Sequence, residues 1–171
     1  AGHLPVRGSR GHRADVFFVA YTRTDLPDHR DRPITFAFNG GPGQPAIWLH
    51  LGIGPRRVVM EQPSPYSRFA ADDPQPPGYR PLAANEHTWL ESTDLVFVDP
   101  VSTGYSRAAA GHDPSVFHGY VEDIEYLGEF VRRFLGHFDR WGSPKFLAGE
   151  SYGTTRVSGL ANHLQQRHGI Y

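Results

Sequence analysis

At 171 residues, 39% of them hydrophobic and 13% aromatic, the chain has the size and apolar content of one globular domain that buries about two-thirds of its unfolded surface. A formal net charge of −1, with the signs interspersed, gives no electrostatic reason to expect nucleic acid or a membrane surface as a partner, and no apolar run approaches the roughly 20 residues that span a bilayer. Without cysteines there are no disulfides and no redox compartment to infer; the 10 histidines show no metal-ligand spacing beside a carboxylate run, so neither metal nor cofactor is expected.

Residues Ala1 to Arg7 contain no apolar signal core. Asp15 to Tyr21 is β-branched and aromatic and reads as a strand, and the polar Thr22 to Arg32 stretch with Pro27 suits a loop. Ile34 to Phe38 is a second apolar run that stops at Asn39-Gly40-Gly41-Pro42-Gly43, and α/β sheets place ligand groups at such carboxyl ends. Ile47 to Leu51 is a short helix or a covered segment, which periodicity alone does not decide. The Pro-rich stretch from Met60 to Pro81 reads as an irregular surface excursion. Leu95 to Val98 is a continuously apolar strand, as in a parallel sheet covered on both faces, and it runs into Asp99-Pro100-Val101-Ser102-Thr103-Gly104.

From Phe117 to Phe138 apolar residues recur at helical spacing over about six turns, with Asp113 or Ser115 as candidate caps. Lys145 to Ala148 reads as a short buried strand, followed by Gly149-Glu150-Ser151-Tyr152-Gly153 and a helix from Thr154 to His168. In that helix Val157, Leu160, Ala161 and Leu164 form a narrow apolar face. The alternation of strands and helices predicts an α/β fold.

Gly149 to Gly153 has the pattern G-x-S-x-G between a strand and a helix, which is the nucleophile-elbow arrangement. The flanking glycines permit a turn in which a Cβ would collide with the neighbouring strand or helix. Ser151 needs a base to remove its proton and donors to stabilise an oxyanion. One donor is expected from the backbone N–H of Tyr152, the second from the Asn39–Gly43 loop, where glycines let backbone approach the substrate.

Four segments carry a resemblance to a known family: Asn39-Gly40-Gly41-Pro42-Gly43, Asn85-x-x-Thr88-Trp89, Asp99 to Ser106, and Gly149-Glu150-Ser151-Tyr152-Gly153. On these the chain resembles the N-terminal half of a serine carboxypeptidase, of the α/β-hydrolase family that removes C-terminal residues from peptides. The resemblance implies a mostly parallel sheet with flanking helices, residues 1–171 forming the first part of a single domain that breaks off after the nucleophile helix. It implies that Ser151 is the acyl-enzyme nucleophile and that Gly41 and Tyr152 supply the oxyanion donors. Asn39 and Glu150, with Gly40 beside them, would hold the terminal carboxylate of a peptide substrate. An ionised Glu150 would repel that carboxylate and a neutral one donates to it, so activity should favour acidic pH. Family members work in secreted, periplasmic or vacuole-like compartments.

Asn85 and Trp89 read as structural, Asp99 as a brace or a pocket residue, and Tyr105 and Tyr152 as packing or substrate contacts. The family's Cys and two serines after the glycine loop are replaced by Gln44-Pro45-Ala46, which removes a disulfide partner and leaves the chemistry untouched. Gly52 stands where a further Glu of the carboxylate network is common, and Ser102 where Gly is usual.

In this fold the triad runs Ser, then acid, then His, yet no Asp or Glu follows Ser151. His163 lies twelve residues along the helix, about 18 Å away at helical rise. His50, His87 and His118 precede the serine and read as surface or packing residues. The chain is therefore expected to be an inactive fragment of a longer enzyme, its sheet edge open where later strands would pair. An esterase or a carboxypeptidase-like acyltransferase uses the same Ser151 intermediate, and a non-catalytic binding protein on a hydrolase fold is the alternative of another class.

Overall fold

The computed structural model describes residues 1–8, 11–26, 30–59 and 82–171. The Pro-rich stretch from Met60 lies outside the described residues, as does the centre of the Thr22–Arg32 loop. Among the described residues eight strands and three α-helices follow in order: β1 Gly2–Arg7, β2 Arg13–Tyr21, β3 Ile34–Phe38, α1 Ile47–Ile53, β4 Arg56–Val58, β5 Leu82–Ala84, β6 Asp94–Val98, β7 Arg107–Ala108, α2 Tyr120–His137, β8 Lys145–Gly149 and α3 Tyr152–His163. A turn of π-helix, Leu164–His168, continues α3.

The main sheet runs β1-β2-β6-β3-β8, with β7 alongside β2; β4 and β5 form a separate antiparallel ribbon. The sheet is mixed. β6, β3 and β8 are parallel neighbours, in register from Ile34 opposite Asp94 and Lys145, whereas β1, β2 and β7 pair antiparallel. The expected parallel arrangement is present in the centre of the sheet, and antiparallel strands extend it. The amino-terminal strands β1 and β2 pair antiparallel from Gly2 opposite Phe18 to Arg7 opposite Arg13.

All five residues of β3 and of β6 are buried. Their side chains alternate between two cores, as the strand period of two requires. Phe36, Phe38, Val96 and Val98 join Phe130, Val131, Phe134 and Leu160 of α2 and α3. Ala37, Leu95 and Phe97 face Leu49 and Ile53 of α1. Helices on both faces explain why these strands read as uninterrupted apolar runs.

Three details differ from expectation. The apolar stretch beginning at Phe117 opens on a 3₁₀ turn, Pro114–Phe117, followed by α2; Asp113 caps the turn through the Ser115 N–H at 2.9 Å, and α2 follows Gly119, which offers no side-chain cap. β8 is half-buried and its Phe146 is 54% exposed, because among the described residues only β3 pairs with it. Ile47 and Trp48 of α1 are exposed, so that helix covers the sheet with one side only.

At the amino ends of β3 and β6, the buried Asp94 carboxylate accepts from Arg32 at 2.8 Å and from Arg140 at 2.7 Å. Arg140 also donates to Ser143 Oγ and the Arg32 carbonyl. A buried charge needs this degree of pairing. Among the described residues no helix is long and apolar enough to cross a membrane.

Candidate active site

β3, β6 and β8 are parallel neighbours, so their carboxyl ends lie on one side of the sheet. Three loops leave there: Asn39–Gly43 after β3, Asp99–Ser106 after β6, and Glu150-Ser151 after β8. Ser151 is exposed and has φ 54° and ψ −123°, a conformation that a residue with a Cβ rarely adopts. Such strain persists only where neighbours enforce it. The Glu150 N–H donates to the Phe38 carbonyl at 3.2 Å, the Gly153 N–H to the Glu150 carbonyl at 2.7 Å, and the Thr154 N–H to the Ser151 carbonyl at 2.9 Å.

The two glycines of the elbow have the steric reason anticipated from sequence. A Cβ on Gly149 would overlap the backbone of Gly153, and one on Gly153 would overlap the Phe38 carbonyl. Gly40 is equally constrained from the other side. Its Cβ would stand 2.7 Å from Ser151 Cβ, 2.8 Å from the Tyr152 nitrogen and 2.9 Å from the Glu150 carbonyl. The glycine loop is thus packed directly against the turn that carries the serine. Gly41 has φ +106°, open to glycine alone at low cost.

Tyr152 opens α3, so its N–H belongs to the first turn, where no intrahelical acceptor exists and the helix dipole favours negative charge. Asn39 is fully buried. Its Oδ1 accepts the Leu49 N–H at 3.1 Å, which turns its amide NH₂ toward Glu150 Oε2, 3.2 Å away. Asn39 and Glu150, distant in sequence, are therefore joined side by side next to Ser151.

Asp99 is a brace. Its Oδ1 accepts the Ala46 N–H at 2.9 Å, and its carbonyl accepts from Ser106 Oγ at 2.6 Å. Gly104, at φ +46°, has no room for a Cβ against that carboxylate. Ser102, where the glycine of the resembled motif is replaced, keeps φ 71° and bonds His118 Nε2 at 2.9 Å. Asn85 holds the carbonyls of Gly52 and Gly54 at 3.0 and 2.9 Å, a structural role. Trp89 is 47% exposed. Tyr105, though exposed, packs edge-on against Phe17.

A family model described as serine carboxypeptidase matches residues 1–169. The chain belongs to the serine carboxypeptidase family. Among curated relatives of this serine carboxypeptidase-family chain, the pheromone-processing carboxypeptidase KEX1 of Saccharomyces cerevisiae is 27% identical over 177 residues, covering 96% of this chain and 22% of that protein. Proteins of the same name from Coprinopsis cinerea and Verticillium alfalfae are 30% and 26% identical, covering 89% and 98% of this chain. The chain spans only 22–23% of the length of these relatives.

His50, His163 and His168 have ring partners away from Ser151. His50 Nε2 bonds the Tyr21 hydroxyl at 2.8 Å, and its ring stacks on Phe97 at 4.7 Å. Burial pushes its imidazole below the ordinary range, with the Asp99 carboxylate pulling the other way. His163 and His168 face each other at 5.2 Å, and burial lowers His163 further than its charged neighbours do. His87 is exposed, with its N–H turned to Asn85 Oδ1. Among the described residues no group of three His, Asp or Glu is placed to hold a metal.

Sequence reading missed one feature of this end of the sheet. Arg156 and Asp123 are both buried and paired at 2.7 Å behind the glycine loop, on the wall of a cavity of about 350 Å³ bounded by Pro42, Val101, His118 and Tyr126. The available signal was an Arg four residues before Leu160 on the apolar face of α3, and an Asp four before Leu127 on that of α2. A cavity of about 890 Å³ lies at the opposite end, beside Ile34 and Asp94, so size alone does not mark the site.

Proposed function

We propose that this chain carries the nucleophile and carboxylate-recognition part of a serine carboxypeptidase with an α/β-hydrolase-type sheet. Its substrate is a peptide with a free C-terminal carboxylate. Ser151 Oγ attacks the last peptide carbonyl, and its proton passes to a base and then to the leaving amine. Water afterwards releases the acyl group from Ser151. The N–H groups of Gly41 and Tyr152 stabilise the oxyanion, and Asn39 with a protonated Glu150 donates to the terminal carboxylate. The acid and the His of the triad come from the remainder of the domain, in the chain order of this fold.

The observation that carries this reading is the juxtaposition of two remote motifs. Gly40 packs on Ser151, and the Asn39 amide meets the Glu150 carboxyl at 3.2 Å. The sheet order β1-β2-β6-β3-β8, with the serine turn at the end of β8, supports it.

A blocked dipeptide with a free carboxylate, compared with its amide, tests the assignment in the enzyme extended beyond Tyr171. Cleavage of the amide should be slower by at least roughly 100-fold, because a site built for hydrogen bonding rejects a ligand that leaves its groups unpaired. Equal rates would point to an esterase or acyltransferase instead. A rate profile for peptide cleavage that climbs through alkaline pH would sink the role given to Glu150.

A further inference from the structure

Arg156 is 1% exposed and heads the fully buried side chains in volume. All three guanidinium nitrogens are engaged. Nε donates to Asp123 Oδ2 at 2.7 Å, Nη1 to the Asn39 carbonyl at 2.8 Å, and Nη2 to the Pro42 carbonyl at 3.2 Å. The guanidinium carbon sits 5.2 Å from the centre of the Tyr152 ring, one turn back on the same helix. Asp123 is held in its turn by the Tyr126 hydroxyl at 2.9 Å, whose oxygen accepts the Val101 N–H at 3.0 Å.

Neutralising a buried cation requires one carboxylate, and Asp123 supplies it. The other two contacts go to backbone of the loop that bears Gly40 and Gly41. A peptide is planar with its C=O and N–H opposed when trans, so holding a carbonyl sets where the N–H of the next residue points. Arg156 holds the Asn39 and Pro42 carbonyls, and between them the Gln44 N–H holds the Gly40 carbonyl at 3.2 Å. The N–H groups of Gly40, Gly41 and Gly43 are thereby turned away from those three fixed carbonyls. Glycines resist no such rotation by themselves, since they lack the Cβ that restricts φ and ψ.

We infer that Arg156 is a positioning residue for the loop that carries the Gly41 oxyanion donor, clamping the peptide on each side of it while the Gln44 N–H sets the Gly40 carbonyl between them, an inference that rests on the function proposed above. It rides on the helix that begins with Ser151 and Tyr152, so the same guanidinium locks the glycine loop to the element carrying the nucleophile. The fork geometry matters: a lysine ammonium is a compact point charge that satisfies Asp123 without spanning two carbonyls.

The test compares the extended wild-type enzyme with Arg156→Lys and with the double variant Arg156→Met/Asp123→Asn, which leaves no orphan charge if the lysine variant folds poorly. Folding is checked by thermal melts. The readouts are kcat and KM on the blocked dipeptide and the rate of fluorophosphonate labelling at Ser151. Both variants should lose roughly 10- to 100-fold in kcat and in labelling rate while KM stays within about twofold, the pattern of an interaction made in the transition state. A folded lysine or double variant with wild-type kcat and labelling rate overturns the inference, as does a loss confined to KM. Failure of the wild type to label at Ser151 overturns the functional reading itself, whereas normal labelling in wild type and variants alike overturns only the role of Arg156.

Discussion

Ser151 is held at φ 54° by neighbours that cannot give way. Gly149 and Gly153 close against each other and against β3, and Gly40 presses on the serine from the loop side. Of these contacts the Gly40 one couples the two motifs, because its three nearest atoms all belong to Glu150, Ser151 and Tyr152. A methyl group there meets backbone and a Cβ, none of which can swing aside as the tip of a long side chain would. Gly40→Ala should therefore cost about 1–3 kcal/mol of stability, the usual range for overpacking. It should also slow fluorophosphonate labelling of Ser151 in the extended enzyme. Urea denaturation and a labelling time course measure the two; unchanged stability with an unchanged labelling rate would show that loop and elbow are not in contact.

Helix α1 is short, and seven residues are too few to hold a helix by propensity alone. It stays because Leu49 and Ile53 pack on Phe97 and Leu95, because Asn39 takes the Leu49 N–H, and because His50 stacks on Phe97 while bonding Tyr21. Burial lowers the native affinity of His50 for a proton. In the unfolded chain an imidazole titrates near 6.5. Below that pH the unfolded state binds a proton that the native state refuses, so stability falls as pH drops from about 6.5 through the lower native value. The contribution is complete above about 6.5. His50→Phe keeps the stacking and removes the titration. Its melting temperature should vary less than that of wild type between about pH 5 and pH 7; identical slopes would sink this account. The acidic pH proposed for peptide cleavage is thus the side on which His50 weakens the fold.

Across the whole molecule, the centre of the sheet is well covered and β8 is not. Its neighbour β3, and β6 beyond that, are buried throughout, while β8 pairs on one side among the described residues and exposes 54% of Phe146. Phe146, Val157, Ala161 and Leu164 line a shallow cavity of about 370 Å³ beside that strand. An unpaired strand edge with an exposed aromatic residue is a template for further pairing. The 171-residue chain should self-associate with rising concentration, and Phe146→Lys should reduce the effect, as edge lysines do. Static light scattering across a concentration series is the measurement, and a monomer at every concentration would refute the expectation. The amino ends of the central strands are secured differently. Arg32, Arg140 and Asp94 join the amino ends of β3 and β6 through bonds that leave neither carboxylate oxygen unpaired.

The sequence by itself determined the α/β class, the two central strands, the long helix after them and the placement of both glycine motifs at strand ends. These are local properties: strand and helix periods are written in consecutive residues, and G-x-S-x-G or G-G-P-G demands a tight turn whatever surrounds it. Family membership was legible for the same reason, since four short motifs in order carry it. Only the tertiary structure decided which strands are neighbours, that the antiparallel amino-terminal strands make the sheet mixed, and that β8 is half-exposed. Pairing partners and burial depend on residues far apart in the chain. The same holds for Arg156 and Asp123, two charges that α2 and α3 bury together, turning one guanidinium onto the loop beside Ser151.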